Sequence, residues 1–183
     1  MYEKEIEIPD NVNIEVDGNV VKVSGEKGEL RREFKGIYDI NIQKSDDGKK
    51  IKVSSESDER KKRAVVGSIV AHIKNMIHGV TNGYTTKLKV IYSHFPVTVK
   101  VEQGKVLIQN FLGEKIPRVA KIVGNDTKVE VKGSEITVTG MDIEAVGQTA
   151  ANMEQATRIY EHDRKVFQDG IYITEKPKQL VKS

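Results

Sequence analysis

Val12-Asn-Ile14-Glu-Val16-Asp-Gly18-Asn-Val20-Val21-Lys-Val23 decides the fold, because the chain writes the pattern again as Val97-Thr-Val99-Lys-Val101-Glu-Gln-Gly104-Lys-Val106-Leu107-Ile108. Each copy alternates apolar and polar residues at period two, breaks at a glycine and alternates again, which is the mark of a β-hairpin. The copies lie 85 positions apart, Val12 against Val97. Gly28-Glu29 then matches Gly113-Glu114, and Lys50-Ile51-Lys-Val53-Ser matches Glu135-Ile136-Thr-Val138-Thr. Self-similarity at one long period signals a duplicated structural unit.

Each copy closes with a helical pattern. Val66, Ile69, Val70, Ile73, Ile77 and Val80 recur at three- and four-residue steps and form one apolar stripe. The matching positions in the second copy are Val146, Thr149, Ala150, Met153, Thr157 and Tyr160. Gly67 and Gly147 are equivalent, and glycine inside a helix costs about 1 kcal/mol relative to alanine. Its recurrence predicts a close approach of helix to sheet. The offset falls to 80 here, Gly67 against Gly147, so five residues should be missing between the strand at Val138 and the helix of Gly147. Asn82-Gly83 is a strong turn dipeptide and marks the boundary. Thr85 to Tyr92 opens the second half as a strand, which His94-Phe95-Pro96 breaks because Pro96 lacks a ladder donor. The expectation is an α+β chain of two tandem, duplicated domains, each an antiparallel β-sheet covered by one main α-helix. They span residues 1–82 and 83–173, with a basic tail at 174–183.

The 183 residues suit two domains of about 90 residues each. With aromatics at 5% and no Trp, their cores must rest on Val, Ile, Leu and Ala. No run approaches the roughly 18 apolar residues of a membrane span, and the N-terminus is charged at once, without a secretory apolar region. A cytoplasmic chain with no membrane partner is expected. Zero Cys excludes disulfides and thiolate metal sites. The net charge of +3, from 30 basic and 27 acidic residues, argues for nothing by itself. Local runs say more: Arg60-Lys61-Lys62-Arg63; then Lys105, Lys115, Arg118 and Lys121 against Glu114; then Arg164, Lys165, Lys176, Lys178 and Lys182 against Asp169 and Glu175. Such patches fit one face docking on a polyanion, and also a mixed-charge soluble surface.

Catalytic motifs are missing. His72, His78, His94 and His162 stand in no nucleophile–base arrangement, and no nucleotide-binding glycine loop or zinc-helix motif is present. Asp142 and Glu144 open the second helix, where acids favour the helix dipole, and read as a cap. Neither an enzyme nor a cofactor or metal is expected. The Arg60–Arg63 run reads as a solvated first helical turn rather than a binding patch, its charge offset either by an outside partner or by Asp58 and Glu59 beside it.

The densest string is Gln155-Ala-Thr-Arg158-Ile-Tyr160-Glu-His162-Asp-Arg164-Lys165-Val-Phe167-Gln-Asp169-Gly170-Ile171-Tyr172-Ile173-Thr-Glu-Lys176. Cations interleaved with flat rings suit RNA, where cations meet phosphates and rings or guanidinium planes meet bases. Together with Asn110-Phe-Leu-Gly-Glu-Lys115 and Asp142-Ile-Glu-Ala-Val146-Gly-Gln148-Thr-Ala-Ala151, this string resembles the family of the sixth protein of the large ribosomal subunit, in its archaeal and eukaryotic form. The resemblance covers essentially the whole chain. His162 stands where the family usually has Lys or Arg, and Lys165 where it has Arg; Lys lacks the bidentate fork of Arg.

The resemblance implies an architectural protein whose C-terminal domain binds large-subunit rRNA near the stalk base and the region that translation GTPases engage. Neighbouring ribosomal proteins would be its other partners. Carried over residue by residue, the RNA contacts it implies are Lys115, Arg158, His162, Arg164, Lys165 and Lys176, with Asn110, Tyr160 and Phe167 as secondary contacts. Phe167 and Tyr172 are also candidates for core anchors that shape the segment. Gly113 and Gly170 read as turn residues. The alternative is a free-standing protein–protein adaptor on the same scaffold, and the two differ in how steeply binding falls with salt.

Overall fold

The computed structural model describes residues 1–36, 38–93, 95–160, 165–166 and 168–179. The chain divides into two compact units, Met1–Gly83 and Tyr84–Ser183. In the first, β1 (Tyr2–Glu7), β2 (Asn13–Asp17), β3 (Val20–Gly25), β4 (Gly28–Glu33), β5 (Ile40–Lys44) and β6 (Lys50–Ser55) precede α1 (Arg60–Thr81). The second repeats the order as β7 (Tyr84–Ile91), β8 (Thr98–Glu102), β9 (Lys105–Gln109), β10 (Arg118–Lys121), β11 (Lys128–Lys132), β12 (Glu135–Gly140) and α2 (Ile143–Ala156), then adds β13 (Gly170–Gln179).

The alternation suggested one sheet per repeat; the strands in fact divide between two. The first unit holds β1-β6-β5 and β2-β3-β4, the second β11-β12-β7-β13 and β10-β9-β8, all antiparallel. Ile6 faces Ile51 across β1 and β6, as Leu88 faces Ile136 across β7 and β12. Because side chains alternate at period two, equal register puts equivalent residues on equivalent faces. The core of the first unit joins Ile14, Val21, Val23, Ile51 and Val53 to Val66, Ile69, Ile73, Ile77 and Val80 of α1, all buried. That of the second joins Leu88, Val106, Ile108, Phe111, Ile136 and Val138 to Val146, Ala150 and Met153 of α2.

Four expectations change in detail. A Cβ on Gly67 would meet nothing within 4 Å, so Gly67 answers to no close packing; the tight approach falls instead at Gly25, where a Cβ would lie 2.9 Å from Val80 Cγ2. A Cβ on Gly147 would meet Pro177 of β13 at an ordinary 3.5 Å. The five missing residues do not all come from the connection. Four residues separate β6 from α1 and two separate β12 from α2, and the remaining three are removed from the first turn of the helix itself. Finally, α2 stops at Ala156, short of Thr157 and Tyr160. Thr157 Oγ1 donates back to the carbonyls of Met153 and Glu154 and accepts the N–H of Ile171, and this local bonding replaces the next helical turn.

Residues 174–179, set apart by composition as a tail, continue β13 along the free edge of β7. The pairing slips between Ile173 and Glu175 and again between Glu175 and Lys178. Pro177 sits in the second irregularity, where a strand tolerates a residue without an N–H.

Candidate nucleic-acid interface

Arg118, on β10, organises the surface that carries the motif residues. Its Nε and Nη2 donate to the Glu114 carboxylate at 2.9 and 2.7 Å, while Nη1 donates to the carbonyls of Ala156 at 3.0 Å and Arg158 at 2.7 Å. Its guanidinium carbon lies 4.5 Å from the centre of the Phe111 ring, which is buried in the core. Only the planar fork of Arg can hold a carboxylate and two carbonyls at once. The side chain thereby ties the turn after β9 to the segment leaving α2, and two motif pieces some 40 residues apart in sequence become one surface. By composition Arg118 was one member of a basic run that fitted a docking face and a mixed-charge surface alike; the structure shows it to be a brace.

The turn itself is tightly held. Asn110, Leu112 and Gly113 all have positive φ, at 60°, 53° and 75°. Gly113 takes its conformation freely, and Asn110 tolerates it while its Nδ2 donates to the Pro96 carbonyl at 2.9 Å. Leu112 is the strained member, since a branched side chain seldom enters this region. Asn110 therefore shapes the turn, and Lys115 beyond it is exposed.

At the other end of the surface, Arg158 is exposed and Tyr160 is 78% exposed. Ile159 between them is buried, which turns its neighbours outward. A cleft of about 450 Å³ lies beside Arg158, lined also by Gln155, Ile159, Ile171 and Tyr172 among others. Lys165 is exposed, and so is Lys176 in the irregular part of β13. Lys115, Arg158 and Lys176 make no ion pair with another described residue, and so keep their charge available. Lys178, by contrast, bridges Glu175 at 3.0 Å, and this partner holds the Glu175 carboxyl below its ordinary value. His162, Arg164 and Phe167 lie outside the described residues.

Asp169 and Gly170 anchor β13 rather than forming a positive-φ turn. Asp169 is buried and accepts from the N–H and Oγ of Ser93 at 3.3 and 3.1 Å. A Cβ on Gly170 would come within 3.3 Å of the Tyr172 ring, whose hydroxyl donates to the Gln168 carbonyl. Tyr172 is thus a local clasp at the strand start, 39% exposed, and not a core anchor. Arg118, Asp169 and Thr157 escaped the reading of the sequence, because a brace has no spacing of its own. Strand register sets Arg118 in the place of Leu30 of repeat one, a correspondence hidden in the sequence because the offset of 85 aligns it with Glu33.

Elsewhere the acid at the start of α2 caps that helix as read. Asp142 accepts the Glu144 N–H at 2.9 Å at the start of α2. Arg63 donates to Asp58 through Nε and Nη2 at 2.7 and 2.6 Å, and this bonding holds the Asp58 carboxyl below its ordinary value. Among the described residues there is no group of three or more His, Asp or Glu that could hold a metal, and no helix long and apolar enough to cross a membrane.

The family model of ribosomal protein L6 matches this chain twice, at residues 8–83 and 95–170, one match per repeat. The large ribosomal subunit protein uL6 of Staphylothermus marinus is 54% identical, over 94% of this chain and 93% of the relative. Those of Methanothrix thermoacetophila and Sulfurisphaera tokodaii are each 53% identical, over 94% and 96% of this chain and 96% and 92% of their own lengths. With both repeats matched and archaeal relatives aligned nearly end to end, the chain belongs to the ribosomal protein L6 family, in its archaeal type.

Proposed function

We propose that the chain binds large-subunit rRNA through the second repeat, close to the stalk base and the region where translation GTPases engage, and so serves the ribosome as an architectural protein. Family membership makes it a structural constituent of the large subunit, with rRNA and ribosomal proteins as partners, and not an enzyme. The observation that carries the finer reading is the Arg118 brace, which gathers Lys115, Arg158 and Tyr160 onto one exposed surface. Unpaired cations suit phosphates, and an exposed ring suits an unstacked base. Lys165 and Lys176 extend the basic surface; His162, Arg164, Phe167 and Asn110 complete the proposed contact set, Asn110 by holding the turn. The position near the GTPase region rests on the family resemblance of the motif.

A salt titration tests the RNA reading. Binding of the intact chain to naked large-subunit rRNA should fall linearly on a log–log plot between about 50 and 200 mM salt, with roughly 0.7–0.9 units of slope for each phosphate contact. A flat dependence would favour the adaptor. Position is tested by tethering a hydroxyl-radical source at Lys165→Cys, unique in a chain without cysteine; cleavage should cluster in the rRNA of the factor-binding region.

A further inference from the structure

The three-stranded sheets of the two repeats share a register but not a charge. In β2-β3-β4, the outward rows are Glu15–Lys22–Arg31, Asp17–Val20–Glu33 and Asn13–Ser24–Glu29. In β8-β9-β10, they are Lys100–Leu107–Val119, Glu102–Lys105–Lys121 and Thr98–Gln109. Cross-strand partners point to the same face. The opposite face is fixed by buried Val106, Ile108 and Ala120, so these rows turn to solvent. Four acids against two cations in the first repeat therefore become one acid against three cations in the second. Glu15 gives way to Lys100, Val20 to Lys105 and Glu33 to Lys121, while the cations Lys22 and Arg31 give way to Leu107 and Val119.

An aliphatic pair thus lies between lysines. Val119 is 52% exposed and Leu107 half-buried beside it. Lys100 and Lys121 make no ion pair with another described residue; Lys105 reaches Glu102 at 3.6 Å. We infer that this face docks an acidic, amphipathic segment of a neighbouring protein, its carboxylates on Lys100, Lys105 and Lys121 and its apolar side chains on Leu107 and Val119. RNA fits less well. The outward rows hold no ring and no guanidinium plane for a base to stack on, since Arg118 turns inward, and burying aliphatic groups gives a phosphate backbone nothing. The matching face of repeat one would repel the same acidic segment, which makes it an internal control. The inference rests on the chain residing in the large subunit, and its partner is distinct from the rRNA surface at Arg158.

The test uses assembled large subunits carrying a photocrosslinker at Val119→Cys, or at Lys121→Cys as a second attachment point; the chain has no other cysteine. The expected product joins either position to a ribosomal protein, at a peptide of net negative charge identified by mass spectrometry. Lys105→Glu with Lys100→Glu should remove that product, and a probe at Arg31→Cys should not form it. Crosslinks to rRNA alone, to a peptide that is not acidic, or to nothing in subunits that contain the protein would overturn the inference. None of these outcomes would touch the rRNA reading, which is judged separately by its salt slope.

Discussion

Arg118 ties the turn after β9 to the segment leaving α2, because five bonding and stacking contacts converge on its one rigid group. Arg118→Ala removes the donor to the carbonyls of Ala156 and Arg158 and one partner of the Glu114 carboxylate. It should cost about 2–3 kcal/mol in denaturant unfolding, the range expected when charge-assisted bonds in a partly buried site are lost. Arg118→Lys should recover little of this, since an ammonium cannot reproduce the fork. Lys115→Ala with Arg158→Ala should do the reverse. Stability should move by less than about 0.5 kcal/mol, while rRNA affinity falls and the salt slope drops by roughly 0.7–0.9 per contact removed. Parallel unfolding and salt-titration curves separate brace from contact. The contrast also marks where the sequence was legible. Exposed cations in a dense motif announce themselves by composition, whereas a cation turned inward against Phe111 looks the same on paper.

At the scale of elements, periodicity predicted strands and helices well, because burial enforces it. It failed at boundaries, where single bonds decide. The stripe through Tyr160 continued in phase, yet Thr157 ended the helix by bonding backwards and Tyr160 emerged exposed. Glycines misled for a related reason: recurrence at 67 and 147 implied tight packing, yet the space beside Gly67 is open. Gly67→Ala should therefore stabilise α1, by up to about 1 kcal/mol, whereas Gly25→Ala should destabilise, since its Cβ would press on Val80 Cγ2 at 2.9 Å. Thermal melts of the two variants should move in opposite directions. The first turn of α1 carries a pH dependence as well. Arg63 donates to Asp58 and depresses its carboxyl pKa below the ordinary 3.8. A depressed folded value contributes stability above the ordinary pKa and loses it as pH falls through the lowered one. The stability gap between wild type and Asp58→Asn should be present at neutral pH and close in strong acid, read by melts across pH.

The whole molecule is one pattern used twice and then diverged. Its register, strand order and helix phase are common to both repeats; the hairpins and the helix phase were readable because core alternation must survive duplication for either copy to fold, whereas the division of the strands between two sheets was not. What differs is what each copy shows to solvent: the first keeps a pairing-rich surface, with Lys50 and Lys52 bridged to Glu3 and Glu5, while the second adds β13, the Arg118 brace and exposed cations. Surface divergence has no period, so it became visible in the sequence only where the family motif lay. The central claim is that rRNA affinity resides in the second repeat. Its most direct test is the affinity of the intact chain for large-subunit rRNA after alanine replacement of Lys115, Arg158, Lys165 and Lys176, compared with the same number of replacements at Arg31, Arg60, Lys61 and Lys35 in the first repeat. The account predicts that the first set abolishes most of the salt-dependent binding and that the second leaves it nearly intact; equal losses, or a larger loss from the first-repeat set, would contradict it.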